Sequence, residues 1–227
     1  MATVPAVAVV IPVRDGARHL PGAIASVRAQ TLPAAELVVV DDGSSDDTVA
    51  VAEALGVRCV RRPGGGAAAA RNTGVRATTA PVVAFLDCDD RWHPTKLEMQ
   101  VAVLESDAEL GWVSARGRVR FATGLERVPW APGLADGDEL PGALGSTLVV
   151  RRAVFDRLGG FDEGYQASED LEWLLRSRDA GIRDVELPAL ADVHLHGANS
   201  TLDRRAQERH TLRALQASIA RRRVRQA

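Results

Sequence analysis

The feature that most constrains this chain is a rhythm in its first half. Three uninterrupted apolar runs, at residues 7–13, 37–40 and 82–86, and a shorter strand-like stretch at 57–60 that contains Arg58, are separated by stretches with apolar residues at helical spacing. Leu20, Ile24 and Val27 form one such face, Val49, Ala52 and Leu55 a second, and Leu97, Val101 and Leu104 a third. An apolar run without polar alternation is a strand covered on both faces, which parallel sheets flanked by helices require. The alternation over about 105 residues predicts a doubly wound α/β fold with right-handed crossovers. Local signals punctuate it: Ser45 or Asp46 is placed to cap the second helix, Gly56 to end it, and Pro94 to open the fourth.

Beyond Asp107 the pattern loosens. Strands are expected at 112–119, 146–150 and 183–187, and helices at 153–158, from Ser168 (as N-cap) and over 203–226. Residues 121–145 are rich in glycine and proline, without a period. The expected organisation is one domain over 1–200, with a nucleotide-binding half (1–107) and a smaller acceptor-side half (108–200). A C-terminal helix with a basic end (201–227) follows.

Bulk properties exclude several classes. A net charge of −2 argues against a dedicated nucleic-acid binder, and 46% hydrophobic with 26% charged residues is ordinary for a globular protein. Cys59 and Cys88 form neither a metal-ligand spacing nor a disulfide framework, which suggests a reducing, cytoplasmic setting. The apolar start lacks a basic n-region and runs into Arg14-Asp15-Gly16, so it reads as a strand and not a signal peptide. No run approaches the ~20 apolar residues of a membrane span. The expectation is a soluble chain, at most peripheral to a membrane.

Chemistry concentrates where strands end. The run closing at Leu86 gives way to Asp87-Cys88-Asp89-Asp90, three carboxylates in four residues, and the second strand ends in Asp41-Asp42. In a parallel sheet both clusters leave the same edge, where open α/β sheets bind ligands. Crowded carboxylates repel and hold protons unless a cation sits among them, and hard oxygens suit Mg²⁺ or Mn²⁺. Such a metal would clamp a diphosphate and assist a displacement on a nucleotide donor. The Gly64-Gly65-Gly66 loop matches neither a P-loop nor the dinucleotide fingerprint.

These pieces, in order, resemble family 2 glycosyltransferases of the GT-A fold. The matching stretches are Val10-Ile11-Pro12-Val13-Arg14-Asp15, Val40-Asp41-Asp42-Gly43-Ser44-Ser45-Asp46, Gly65-Gly66 leading to Ala70-Arg71-Asn72-Thr73-Gly74, and Leu86-Asp87-Cys88-Asp89-Asp90. Gly160-Phe161-Asp162-Glu163, Glu169-Asp170-Leu171-Glu172-Trp173 and His194-Leu195-His196-Gly197 complete the set. The resemblance implies a Rossmann-like, mostly parallel sheet flanked by helices. It also implies an inverting enzyme that moves one sugar from a nucleotide-diphosphate sugar, with a UDP-sugar as the expected donor, to an acceptor hydroxyl of unknown identity.

In that resemblance Asp42, with Asp41 beside it, reads the base, and Pro12, Val13, Arg14 and Asp15 line its pocket. Arg71 lies near the nucleotide, and Cys88 is a small filler within the DxD stretch. Asp87 faces the ribose and Asp89 the Mn²⁺ or Mg²⁺; Asp87 and His196, or less favourably His194, complete the metal site, and Asp90 supports them. Asp170, with Glu169 before it, is the general base. The Arg14-Asp15 pair departs from the family's aromatic-Asn, and the chain lacks the Gln-x-x-Arg-Trp motif of processive enzymes. Two other readings compete: a nucleotidyltransferase, for which 14–18 is a poor signature, and a non-catalytic sugar-nucleotide binding module.

Overall fold

The structure is a computed structural model that describes residues 4–125, 133–142, 144–196 and 204–226. The first half runs β1 (Val7–Val13), α1 (Leu20–Arg28), β2 (Glu36–Asp41), α2 (Thr48–Ala54), β3 (Arg58–Arg61), α3 (Ala67–Arg76) and β4 (Val82–Phe85). It continues through β5 (Arg91–Trp92), α4 (Lys96–Ser106), β6 (Leu110–Phe121), β7 (Glu139–Leu140), α5 (Leu144–Thr147) and β8 (Val149–Arg151). The chain then forms α6 (Arg152–Leu158), α7 (Glu169–Asp179), β9 (Arg183–Leu195) and α8 (Arg204–Gln226).

Among the described residues the strands form one sheet in the order β3-β2-β1-β4-β8-β6-β9-β5, with β7 attached to β6. β3, β2, β1 and β4 are mutually parallel, as the sequence rhythm demands. β8 pairs antiparallel with β4 and β6, and β6 with β9 restores a long parallel pair. The strand alternation of β1 divides the core cleanly. Val7, Val9, Ile11 and Val13 pack with Leu20, Ile24, Leu97 and Leu104 on one face. Val10 joins Phe85, Trp112, Phe155, Phe161 and Trp173 on the other. On that second side α3 lies so close to β1 that a Cβ on Gly74 would stand 2.2 Å from Val10 Cγ1.

The structure departs from the sequence expectations in the second half. The 146–150 strand is instead the one-turn α5 followed by β8. The last strand does not stop at 187 but runs to Leu195. Pro188 falls in a register shift between the Ala115–Leu187 and Gly117–Ala191 pairs, where its missing N–H breaks no ladder bond. Ser168 precedes α7 but does not cap it: its φ is +57°, and its hydroxyl meets Thr211 Oγ1 of α8 at 2.9 Å. Neither Ser45 nor Asp46 is the N-cap of α2: that position is Asp47, which makes no side-chain cap bond, while Asp46, one residue earlier, accepts the Thr48 N–H at 3.0 Å. The expected boundary at 200–201, and the irregular stretches at 126–132 and 197–203, lie outside the described residues.

Candidate active site

β4 ends at Phe85, level with Val10, while β1 runs on to Val13, level with Asp41 of β2. The Asp87–Asp90 turn therefore leaves the sheet beside the overhanging end of β1. It folds against the first βα turn, where a Cβ on Gly16 would meet Cys88 Sγ at 3.0 Å. Burial and the neighbouring Asp89 carboxylate push the Cys88 thiol well above its usual range, so it stays protonated and packs as a small apolar group.

A buried arginine organises the centre. Arg71, on α3, donates from Nη2 to Asp87 Oδ1 at 2.7 Å and from Nη1 to Glu169 Oε1 at the start of α7. Burial opposes its charge, but Asp87 and Glu169 more than compensate and raise its pKa. Asn72, the next residue, reaches elsewhere. Its side chain donates to the Phe161 carbonyl at 2.9 Å and accepts the Phe161 N–H at 2.9 Å, clamping the 160–163 turn. A Cβ on Gly160 would stand 2.2 Å from Asn72 Oδ1. One turn of α3 thus joins three sequence stretches that are far apart in the chain.

Gly145 and Ser146 of α5 close the other side. A Cβ at Gly145 would lie 2.5 Å from Asp87 Oδ2 and 2.8 Å from Arg71 Nη2, so only glycine lets the backbone approach this ion pair. Ser146 Oγ accepts the Asp87 N–H at 3.1 Å and donates to the buried Asp90 carboxylate. Asp90 in turn accepts the His194 N–H at 2.8 Å, fastening the end of β9 to the aspartate turn. That fastening delivers His196, whose Nε2 lies 3.0 Å from Asp89 Oδ2. His19 stacks on His196 with ring centroids 4.8 Å apart and planes 11° apart. Burial and Arg18 lower the His19 pKa to about 4, so this ring is neutral.

The carboxylates bear the cost of crowding. Desolvation and Asp87 raise the Asp89 pKa, and desolvation and Asp89 raise that of Asp90 further. Asp170 follows Glu169 on the first turn of α7. Desolvation first, then the Glu169 charge, raise its pKa to about 6 even though Arg71 and the Leu171 N–H, which bonds Oδ1 at 2.7 Å, oppose the shift.

Asp41, Asp42 and the loop after β1 make a second cluster. Asp42 is paired with Arg62 and accepts the Gly66 N–H at 2.7 Å, while Asp41 accepts the Ser44 N–H at 3.1 Å and shapes its own turn. Gly64, Gly65 and Gly66 all have positive φ (+98°, +143° and +90°), the conformation that returns the chain to Asp42 before α3 begins. Asp15 accepts from the Ser45 N–H at 2.7 Å and its own N–H donates to Ser44 Oγ at 2.8 Å. These bonds knit the two loops into one wall. Pro12 and Val13 are buried in β1, whereas Arg14 is an exposed side chain at the wall's rim.

The structure thus brings Arg71, Asp87 and Glu169 into direct contact, with Asp170 beside Glu169, and pairs Asp89 with His196. Sequence reasoning missed Gly145, Ser146, His19 and Arg62. Arg62, a cation two residues before the glycine run, carried a local signal; Ser146 sits in a stretch without period and carried none.

A family model described as "Glycosyl transferase family 2" matches residues 8–159. An uncharacterized glycosyltransferase of Mycobacterium tuberculosis is 33% identical over 192 residues, covering 80% of this chain and 83% of that protein. The chain therefore belongs to glycosyl transferase family 2. An uncharacterized glycosyltransferase of Nostoc is 39% identical over 111 residues, 46% of this chain. The chain spans only about a third of the length of that relative (34%) and of one from Rickettsia prowazekii (32%). Among solved structures, S. aureus TarS 1–349 in complex with UDP-GlcNAc superposes with a TM-score of 0.76 at 18% identity, over 95% of this chain and 66% of that one. The mannosyltransferase PcManGT from Pyrobaculum calidifontis, in complex with GDP-Man and Mn²⁺, gives 0.75 at 20% identity, over 96% and 65%. Both share the GT-A fold described above.

Proposed function

We propose that this chain transfers one glycosyl group from a nucleotide-diphosphate sugar to an acceptor hydroxyl with inversion, and that Asp170 is the general base. The observation that carries the reading is the Arg71 bridge. One buried guanidinium holds Asp87, on the donor edge of the sheet, and Glu169, beside Asp170 on α7. A base in this position must be ionised to accept the acceptor's proton, yet basic enough to hold it. A pKa near 6 meets both needs at neutral pH. The wall made by 12–15 and 41–46 is the proposed nucleotide-base pocket, with Asp42 released from Arg62 or sharing it when the base is bound. A UDP-sugar is the first donor to test, since the TarS structures hold UDP and UDP-GlcNAc; the GDP-Man of PcManGT makes a guanine donor the alternative.

The residues present fit a divalent cation in one specific way. Asp89 Oδ2 and His196 Nε2 converge at 3.0 Å, and the raised Asp89 pKa marks crowded anions that a cation would relieve. Among the described residues no three His, Cys, Asp or Glu side chains form a ready-made metal site. Asp89 and His196 would therefore hold Mn²⁺ or Mg²⁺ together with donor oxygens and water, a pattern usual for cations that bind with nucleotide phosphates. When bound, the cation neutralises charge developing on the leaving diphosphate. Asp87 and Arg71 orient the donor from the protein side, and Ser146 and Asp90 hold the aspartate turn in place.

A thermal-shift panel of UDP- and GDP-sugars, with and without Mn²⁺, tests the donor assignment. Stabilisation by one nucleotide class that depends on Mn²⁺ and is lost in Asp89→Asn is expected; stabilisation insensitive to both would refute the metal assignment. Donor binding without turnover in any acceptor mixture would favour the non-catalytic binding module.

A further inference from the structure

The basic end of the chain invites an anionic partner, but the structure withdraws most of that end from use. Arg221 Nε and Arg222 Nε bond the Asp179 carboxylate at 2.9 and 2.7 Å, and Arg225 bonds the Asp179 carbonyl. Arg221 also approaches Glu172 at 3.4 Å. These arginines dock α8 on α7, and the buried face of α8 is His210, Ala214 and Ser218.

The opposite face has a different composition. Leu212, Leu215 and Ile219 follow one another at helical spacing and are 57%, 43% and 51% exposed. Arg205 stands seven residues before Leu212, Arg209 three before it, and Arg223 four after Ile219, so all three border the apolar stripe. None of these arginines makes an ion pair within the described residues. The helix as a whole carries eight arginines and one acid, Glu208, in a chain whose net charge is −2. Its +7 leaves −9 for the remainder, so the molecule is electrostatically polarised toward this helix.

We infer that the outer face of α8 is a docking surface for an anionic lipid bilayer, with Leu212, Leu215 and Ile219 entering the headgroup boundary and Arg205, Arg209 and Arg223 contacting lipid phosphates. An apolar stripe edged by arginines is the composition of helices that lie in the membrane interface. A second copy of the chain suits the face less well. Pairing two such helices antiparallel sets Arg205 and Arg209 of one against Arg223 of the other, like charge against like. The helix, about 34 Å long, would lie on the membrane and not span it, and no helix among the described residues is long and apolar enough to cross a bilayer.

The site gains from this placement. Thr211 bonds Ser168 at the start of α7, and His210 packs 5.5 Å from the Tyr165 ring. Docked α8 would hold the Asp170 turn roughly one helix diameter, about 10 Å, from the lipid. That consequence rests on the proposed role of Asp170, whereas the docking itself does not.

Vesicle flotation of the full chain separates the two. Phosphatidylcholine vesicles with roughly a third phosphatidylglycerol should carry the protein, neutral vesicles should not, and salt should weaken the binding. Leu212→Gln/Leu215→Gln/Ile219→Gln should lower partitioning about tenfold or more, and Arg205→Gln/Arg209→Gln/Arg223→Gln should abolish the preference for anionic lipid. Both variants change exposed side chains, so unfolding midpoint and donor-induced thermal shift should match the parent. Equal binding to neutral and anionic vesicles, or to neither, overturns the inference. A parent dimer that the leucine variant dissolves without changing flotation overturns it in favour of a self-interface.

Discussion

Asp170→Asn is expected to make the protein inactive and more stable at once. The folded-state pKa of Asp170, about 6, lies above its ordinary value of 3.8, so the folded state binds this proton more tightly than the unfolded chain does. The carboxyl therefore contributes stability that is complete below about 3.8 and lost as pH rises through about 6. Two pKa units at 1.36 kcal/mol each make the cost of ionisation at neutral pH about 3 kcal/mol, and residual hydration and coupling to Glu169 reduce it to about 1–3 kcal/mol. Asparagine keeps the Oδ1 acceptor that takes the Leu171 N–H and carries no charge at any pH. Urea or thermal unfolding at pH 7.5 should show a gain of about 1–3 kcal/mol, roughly 3–10 °C in a domain of this size, and the gain should vanish near pH 4. Donor binding should persist while transfer is lost. A variant that is less stable at pH 7.5, or equally stabilised at both pH values, would show that ionising Asp170 does not cost the folded state stability. Transfer retained in the variant would remove it from the base role.

Further expectations concern the residues around it. The wild-type pH–rate profile should have an acid limb near pH 6, set by Asp170, and the limb should move upward in Arg71→Met because Arg71 lowers that pKa; steady-state rates between pH 5 and 8 read it. Gly145→Ala should cut kcat/KM at least about tenfold with little change in unfolding midpoint, since its Cβ would displace Asp87 and Arg71 and not the core. Asn72→Ala removes the clamp on the 160–163 turn, exposing buried partners at a cost of about 1–3 kcal/mol by chemical denaturation. Lys96, the chain's only lysine, is fully buried over the Trp92 ring, with its Nζ 4.1 Å from the centroid and no hydrogen-bond partner among the described residues. Burial holds its pKa well below the usual 10.5, so the unfolded state binds the extra proton and wild-type stability should rise with pH. Lys96→Met should raise the melting temperature at pH 7 and lose that advantage above about pH 10.5.

The first half of the fold was legible because β1, β2 and β4 are centred on local apolar runs that are buried along most of their length, while the short β3, only partly buried, follows from the alternation of strands and helices around it. Val7–Val13 needs no knowledge of its partners to read as such a strand, and the structure places β2 and β4 on either side of it. The second half mixes strand directions, so its elements answer to distant neighbours. β9 continues past Pro188 only because β6 offers ten paired residues and a register shift to accommodate the imide, and nothing near 188 in sequence encodes that. The same limit applied to Ser168, whose preference for an N-cap lost to a partner on a helix more than forty residues away.

For the site, the sequence by itself determined the chemistry: which carboxylates stand at strand ends, which family they resemble, and that Asp41-Asp42 and Asp87–Asp90 leave the same sheet edge. Backbone parity and strand polarity decide those facts locally. Only the tertiary structure decided how the groups share their work. Arg71 holds Asp87 to Glu169, Ser146 and Asp90 draw the end of β9 onto the aspartate turn, and three arginines of the basic tail turn inward to Asp179. A buried charge takes whichever opposite charge the fold brings within reach, and that proximity is a property of packing that no stretch of sequence contains.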